Sequence, residues 1–157
     1  MVYAEHRREE LPVAFESATV GDAMSHGVLS CPPETPLRVV ARMMATFGVH
    51  AIFVFEHVDE DDEARQLWAV VSELDLVAAT QLDLDELTAG ATAVTPLVSV
   101  VADSSIAEAG SLMAQYGIAH LAVVDPDTRR PVGVISTLDI ARAIAAGHGP
   151  REVFASA

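Results

Sequence analysis

The sequence contains no lysine, and its 9 basic side chains, all arginines, face 23 acidic ones, for a formal net charge of −14. A protein that follows a nucleic-acid backbone or an anionic membrane surface needs clustered basic residues. No basic stripe of that kind is present. The composition therefore argues against nucleic acid and against membranes as partners.

Cysteine and aromatic residues are also scarce. Cys31 stands alone, which excludes an intrachain disulfide and a thiolate metal cluster. Aromatic residues make up 5% of the chain and hydrophobic residues 51%, so aliphatic side chains must fill the core. The 6 histidines include no i, i+4 pair, and we expect no metal site. The acidic run 59–63 lacks the spacing of a calcium loop, so we expect a solvated hairpin tip rather than a cation sensor.

Long hydrophobic runs and enzyme motifs are missing as well. Residues 1–16 lack the apolar stretch of a signal peptide, and the longest mainly apolar segment, 91–102, is interrupted by Thr, Pro and Ser. We therefore expect a cytoplasmic protein. No Walker loop, nucleophile elbow or Ser-His-Asp order is present, so we expect no catalysis.

What the sequence does have is an internal repeat. Residues 35–55 align with residues 104–124 at an offset of 69 (113 − 44), which superimposes Met44 on Met113. Further on, "AVVSELDLVAA" and "GVISTLDIARA" share a Ser-x-Leu-Asp box at an offset of 64 (139 − 75). The first repeat must therefore carry 5 extra residues (69 − 64) before its box.

Both repeats predict the same elements. Apolar or small residues at 37, 40, 41 and 44, and at 106, 109, 110 and 113, have the spacing of a helix buried on one face. Gly48 and Gly117 are expected to end these helices. A two-stranded hairpin follows, and the box opens a last helix. The predicted organisation is an extension (1–17), a β-α-β-β-α repeat (18–80), a linker (81–90), a second repeat (91–147) and a tail (148–157).

The repeated box allows two interpretations. Ser72 with Asp75, and Ser136 with Asp139, have the spacing of a helix capping box. The same geometry would suit a nucleotide, since a helix N-terminus attracts phosphate and a carboxylate can accept hydrogen bonds from ribose hydroxyls. Two such boxes, each at the end of an equivalent unit, favour nucleotide binding more strongly than a single box would.

The chain resembles a pair of cystathionine-β-synthase-type (CBS) domains, a Bateman module. The residues that carry this resemblance are "GVISTLDIARAI", the matching "AVVSELDLVAA", and the segments "GVHAIFVF" and "GIAHLAVV". In the first box Ala69 replaces the glycine of the family motif. The resemblance implies an α/β fold of two β-α-β-β-α repeats packed sheet to sheet with pseudo-two-fold symmetry.

It also implies two adenosine-binding sites in the cleft between the repeats, with residues from both repeats in each. The first site would comprise Ser136, Leu138, Asp139, Ser25, Val28, Leu29, His50 and Ala51. The second would comprise Ser72, Leu74, Asp75, Thr95, Leu97, Val98, Ala119 and His120.

Several positions depart from the family pattern or from each other. Phe53 and Ala122 replace the proline that commonly follows the first helix, and we expect Phe53 to be a core residue. Glu73 in the first box would oppose an incoming phosphate, whereas the second box has Thr137 there and Arg142 one turn later. We therefore rank the Asp139 site above the Asp75 site.

The net charge also bears on the ligand. A triphosphate would need nearby cations, for which Arg38, Arg42 and Arg142 are the candidates, so AMP is favoured over ATP and S-adenosylmethionine is a further candidate.

By this resemblance the chain is a non-catalytic regulatory module. It would require no cofactor, bind an adenosine nucleotide as regulatory ligand, form a homodimer and signal to a separate effector protein. The alternative is a ligand-free scaffold or dimerisation module whose boxes are only helix caps.

Overall fold

The computed structural model describes residues 17–57, 65–93 and 95–147. The predicted hairpin tip at 59–63, nearly all of the N-terminal extension and the tail lie outside these residues. The described strands are β1 (Ser25–His26), β2 (Ser30–Cys31), β3 (Ala51–His57), β4 (Arg65–Ser72), β5 (Thr95–Pro96), β6 (Ser99–Val101), β7 (His120–Val124) and β8 (Pro131–Ser136). The helices are α1 (Val20–Ala23), α2 (Leu37–Phe47), α3 (Glu73–Ala78), α4 (Ala89–Thr92), α5 (Ile106–Tyr116) and α6 (Thr137–Gly147).

The chain forms two compact units, each with its own sheet. The first unit takes in residues 28–97, and its strands lie in the order β2-β3-β4-β5. Here β2 pairs parallel with β3, and the β3–β4 hairpin is antiparallel. Its core is mainly aliphatic, as the scarcity of aromatic residues predicts, and includes Leu37, Val40, Ile52 and Val71.

The second unit is built from residues 17–27 and 98–147 as far as these are described, with the strand order β1-β8-β7-β6. β6 pairs parallel with β7, and β7–β8 is an antiparallel hairpin. Val100, Leu121, Val123 and Ile135 belong to its core. The predicted α/β class and the two hairpins are therefore confirmed.

Helices α2 and α5 confirm the predicted stripe. Leu37, Val40 and Met44 are the buried residues of α2, and α5 buries the residues at the equivalent positions. Gly48 and Gly117 follow these helices with φ of 64° and 63°, the left-handed conformation that a C-terminal glycine adopts readily. The local periodicity of the sequence was thus sufficient to locate both helices.

The start of each repeat differs from the prediction. We expected one short strand there, but residues 25–31 form β1 and β2, and residues 95–101 form β5 and β6. β1 pairs with β8 of the second unit, whereas β5 pairs with β4 of the first. Each unit therefore includes the first strand of the other repeat, because β1 and β2, and likewise β5 and β6, belong to different sheets.

The predicted linker is also more ordered than expected. Leu84 and Leu87 pack against the first core, and their carbonyls accept hydrogen bonds from the amides of Arg38 and Leu37 at 3.0 and 2.9 Å. These bonds satisfy free amides of the first turn of α2, where Pro36 supplies no side-chain cap. Residues 81–90 are thus part of the first unit.

Candidate functional site

Both Ser-x-Leu-Asp boxes fold as helix caps. In the first, the Ser72 amide donates to Asp75 Oδ2 at 2.8 Å, and the Asp75 amide donates to Ser72 Oγ at 3.4 Å. In the second, the corresponding distances between Ser136 and Asp139 are 2.8 and 3.2 Å. Each serine hydroxyl also donates to the same Oδ2 atom, at 3.1 and 2.9 Å respectively. Both boxes therefore form the predicted cap.

Backbone hydrogen bonds hold the two boxes in equivalent positions. The Thr137 amide donates to the Ala119 carbonyl at 3.0 Å, and the Glu73 amide donates to the His50 carbonyl at 3.1 Å. These bonds tie the first residue of α6 and of α3 to the residue just before β7 and β3. The same backbone frame therefore surrounds both helix N-termini.

The second box carries an arginine beside its carboxylate. Asp139 is 8% exposed, and its Oδ1 atom lies 3.6 Å from a guanidinium nitrogen of Arg142. That separation is longer than a hydrogen bond. Oδ2 is therefore committed to the cap, whereas Oδ1 has a looser ionic contact that a ligand hydroxyl could join or replace. In the first box Ala78 stands in place of Arg142.

The first box instead has an acidic residue paired with a histidine. His50 Nδ1 lies 2.7 Å from Glu73 Oε2, and both side chains are more than half exposed. His50 is a predicted site residue and Glu73 a predicted unfavourable charge, but their contact was not predicted. The spacing of 23 residues hides it, since only the hairpin brings them together.

Each box also presents a leucine outward. Leu74 is 73% exposed and Leu138 is 51% exposed within the described chain. The first turn of a helix thus offers an apolar side chain next to a carboxylate at both positions. This arrangement fits a flat apolar ring with a polar sugar attached, although it fits a protein partner equally well.

The other predicted site residues lie in the unit to which their strands belong. In the second unit, Ser25 of β1 pairs with Val134 of β8, two residues before Ser136. Thr95 pairs with Val70 of β4 in the first unit. Of the remaining predicted residues, Ala51 is buried, Val28, Leu29, Leu97, Val98 and His120 are half-buried, and Ala119 is exposed.

Arg38, one of the candidate phosphate partners, already has a partner. Its Nε atom lies 2.6 Å from Asp85 Oδ1 in the predicted linker. This hydrogen bond raises the pKa of Arg38 and lowers the pKa of Asp85. Of the three arginines that we proposed as counter-charges, Arg142 is the one shown beside a box.

Phe53, Ala122 and Cys31 are buried residues of the core. Phe53 and Ala122 are each 1% exposed, which confirms the expectation that Phe53 is a core residue. Burial raises the pKa of the Cys31 thiol, which keeps it protonated at neutral pH.

Within the described residues, no group of His, Cys, Asp and Glu could hold a metal ion, and no helix has the length and apolar character to cross a membrane.

These observations define a tandem α/β repeat whose two halves each close with a capping box. A family profile of the CBS domain matches residues 20–81 and 90–146, which together make up most of the chain. The chain therefore belongs to the CBS domain family, and the recognised resemblance is confirmed. No curated protein matches it significantly.

Solved structures agree with this assignment. The CBS domain protein PAE2072 from Pyrobaculum aerophilum, complexed with AMP, is 26% identical with a TM-score of 0.66, over 77% of this chain and 88% of that one. Hypoxic Response Protein I, with two coordinated zinc ions, is 27% identical with a TM-score of 0.60, over 80% and 98%. The CBS-domain protein ATU1752 from Agrobacterium tumefaciens, 16% identical with a TM-score of 0.70 over 92% and 100%, shares the fold.

Proposed function

We propose that the chain is a non-catalytic regulatory module that binds an adenosine nucleotide at its Ser-x-Leu-Asp boxes, with AMP favoured over ATP. The observation that carries this proposal is the second box, where the nearly buried Asp139 keeps Oδ1 outside the cap and beside Arg142. The carboxylate would accept ribose hydroxyls. The positive end of the α6 dipole and the Arg142 guanidinium would attract a phosphate.

The comparison with the Pyrobaculum aerophilum protein supports the ligand class, since that relative was solved with AMP. The choice of AMP over ATP follows from charge. A triphosphate brings more negative charge to a chain at −14, and the second box shows one arginine. The proposal includes a homodimer and a separate effector protein, as the family resemblance implies.

Thermal unfolding with AMP, ADP, ATP and S-adenosylmethionine tests the ligand. AMP at a hundred times its dissociation constant is expected to add about 2.7 kcal/mol to the free energy of unfolding, because it binds the folded state alone. ATP is expected to give the smaller shift at equal concentration. If none of the four ligands at millimolar concentration raises the midpoint, the nucleotide proposal is wrong.

The second candidate is a scaffold with no ligand, and one observation favours it. Both serines and both aspartate Oδ2 atoms are already satisfied within their caps. A capped helix needs no ligand to be stable. The scaffold predicts that box substitutions change stability and leave every nucleotide titration flat.

Exchanging the second residue of each box, Glu73 or Thr137, tests whether the two sites differ in AMP affinity. Glu73→Thr removes the charge that repels phosphate and is expected to strengthen AMP binding at the first box about three- to fivefold. Thr137→Glu is expected to weaken AMP binding at the second box by a similar factor. Titration calorimetry measures both. Equal affinities in wild type and both variants would show that this position does not face the phosphate.

A further inference from the structure

A second feature of the first unit lies at the opposite end of its β3–β4 hairpin from the box. Ser72 pairs with Ala51 at one end of the hairpin, whereas Glu56 and Trp68 lie toward the other. There a cavity of about 410 Å³ is lined by Trp68, Glu34 and Glu56 among others. All of its lining residues belong to the first unit. This cavity is therefore separate from the proposed nucleotide contacts of the box.

A β-bulge places Trp68 at this cavity. Val54 pairs with Ala69 and Phe55 with Leu67, so Trp68 is the extra residue of β4. A bulge redirects the side chain of the strand that carries it. Trp68 is 40% exposed, which leaves part of its surface available for contact.

Backbone hydrogen bonds fix the opposite wall. The Gly90 amide donates to the Pro33 carbonyl at 2.8 Å, and the Ala89 amide donates to the Thr35 carbonyl at 2.8 Å. Gly90 permits this approach, because a Cβ there would lie 2.7 Å from the Pro33 Cβ. The backbone on the Pro33–Gly90 side of the cavity is thus held in place before any ligand arrives.

The charge of the cavity selects a cation. Glu34 and Glu56 are exposed and line it, and no arginine is among the described residues that line it. The second unit offers an internal comparison, since Val132 is the extra residue of its equivalent bulge. There Asp125 stands in place of Glu56, and its Oδ1 accepts hydrogen bonds from the Thr128 amide and hydroxyl. The exposed indole and the Glu56 carboxylate are therefore particular to the first unit.

We propose that this cavity, lined by Trp68, Glu34 and Glu56, binds an arginine side chain that projects from a partner protein. A guanidinium group stacks on an indole and donates hydrogen bonds to carboxylates at the same time, which an ammonium does less well. Trp68, Glu34 and Glu56 are all exposed, so a side chain presented by a protein surface can reach them. This proposal rests on the proposed function, because the partner protein would be the effector to which the module signals.

The protein carries its own reporter, because Trp68 is its single tryptophan. The capped tripeptide N-acetyl-Gly-Arg-Gly-amide is expected to change the indole emission in a saturable way. The matching citrulline tripeptide, which keeps the shape without the charge, is expected to bind at least about tenfold more weakly. Equal binding of the two peptides, or no saturable change, overturns the proposal. Tetramethylammonium that binds as tightly as the arginine peptide would overturn the choice of arginine.

Variants of the lining residues test whether the arginine peptide binds in this cavity. Glu34→Gln and Glu56→Gln are each expected to weaken the arginine peptide about threefold. Glu108→Gln, an equally exposed change in the second unit, is expected to leave it unchanged. Equal losses in all three would show attraction to the overall charge and would overturn the site. Trp68→Val copies the second unit at this position, and calorimetry is expected to show about a tenfold loss.

Titration without nucleotide separates this proposal from the proposed function. A cavity that binds no arginine peptide, in a protein that AMP still stabilises, would overturn the arginine site alone. The converse result, arginine binding in a protein that responds to no nucleotide, would overturn the proposed function alone.

Discussion

Gly133→Ala is expected to destabilise the second unit by about 3 kcal/mol. A Cβ at this position would clash with the Ser25 carbonyl oxygen and would lie 2.9 Å from Met24 Sδ. The nearer atom belongs to the backbone of β1, so the clash can be relieved only by moving that strand away from β8. Overpacking of this kind costs about 1–3 kcal/mol, and backbone obstruction puts this case at the upper end. Urea unfolding, followed by circular dichroism, measures the change.

Gly110→Ala is the matched control, with the same added methyl group in the same unit. At Gly110 the new Cβ would meet only the Ile140 Cδ1 atom, at 3.6 Å, an ordinary contact. Because Gly110 lies inside α5, alanine is expected to add up to about 1 kcal/mol of stability. If Gly133→Ala unfolds within about 0.5 kcal/mol of wild type, β1 does not lie against β8 as described.

The Gly133 position connects the fold to the site. Displacing β1 also displaces Ser25, which pairs with Val134 close to the second box. We therefore expect Gly133→Ala to weaken AMP binding even at temperatures where the protein is fully folded. The first unit tolerates Ala69 at the equivalent position, where β4 pairs with β5.

Local patterns predicted the parts of the fold that depend on local physics. The apolar spacing from Leu37 to Met44 located α2, and Gly48 located its end. The change of offset from 69 to 64 placed 5 extra residues before the first box. The structure agrees, since 15 positions separate Val54 from its partner Ala69 (69 − 54), whereas 10 separate Val123 from its partner Gly133 (133 − 123).

Partners distant in sequence could not be predicted in the same way. β1 and β5 have two residues each, too few for a period-2 pattern, and nothing local says which sheet they join. α1 and α4 have four residues each, below the length at which helical periodicity is visible. The contacts of His50 with Glu73 and of Arg38 with Asp85 depend on how hairpin and linker fold.

The box itself shows how a local motif leaves function open. Ser136 and Asp139 predicted a cap, and the structure has that cap. The sequence could not show that Oδ2 accepts both serine hydrogen bonds while Oδ1 is turned toward Arg142. A substitution that keeps the cap but removes the negative charge can therefore separate capping from ligand binding.

Asp139→Asn is expected to weaken AMP binding about ten- to a hundredfold while the protein stays folded. The amide oxygen can still accept the Ser136 hydrogen bonds, so the loss of stability should be about 1 kcal/mol, from the missing charge at the helix N-terminus. Hydrogen bonds from ribose hydroxyls to a charged acceptor contribute more than those to a neutral one, about 1.5–3 kcal/mol. Titration calorimetry measures the affinity, and urea unfolding measures the stability.

Asp75→Asn is the matched variant, since it removes the same charge from the same cap in the first box. It should lose a similar amount of stability, but AMP affinity should change less than about threefold, because Glu73 opposes phosphate there and Arg142 has no counterpart. Equal losses of affinity in the two variants would contradict the ranking of the sites and indicate two equivalent ones. Unchanged affinity in both would leave the carboxylates as caps alone and favour the scaffold, because nothing but a ribose contact distinguishes the two roles of Asp139.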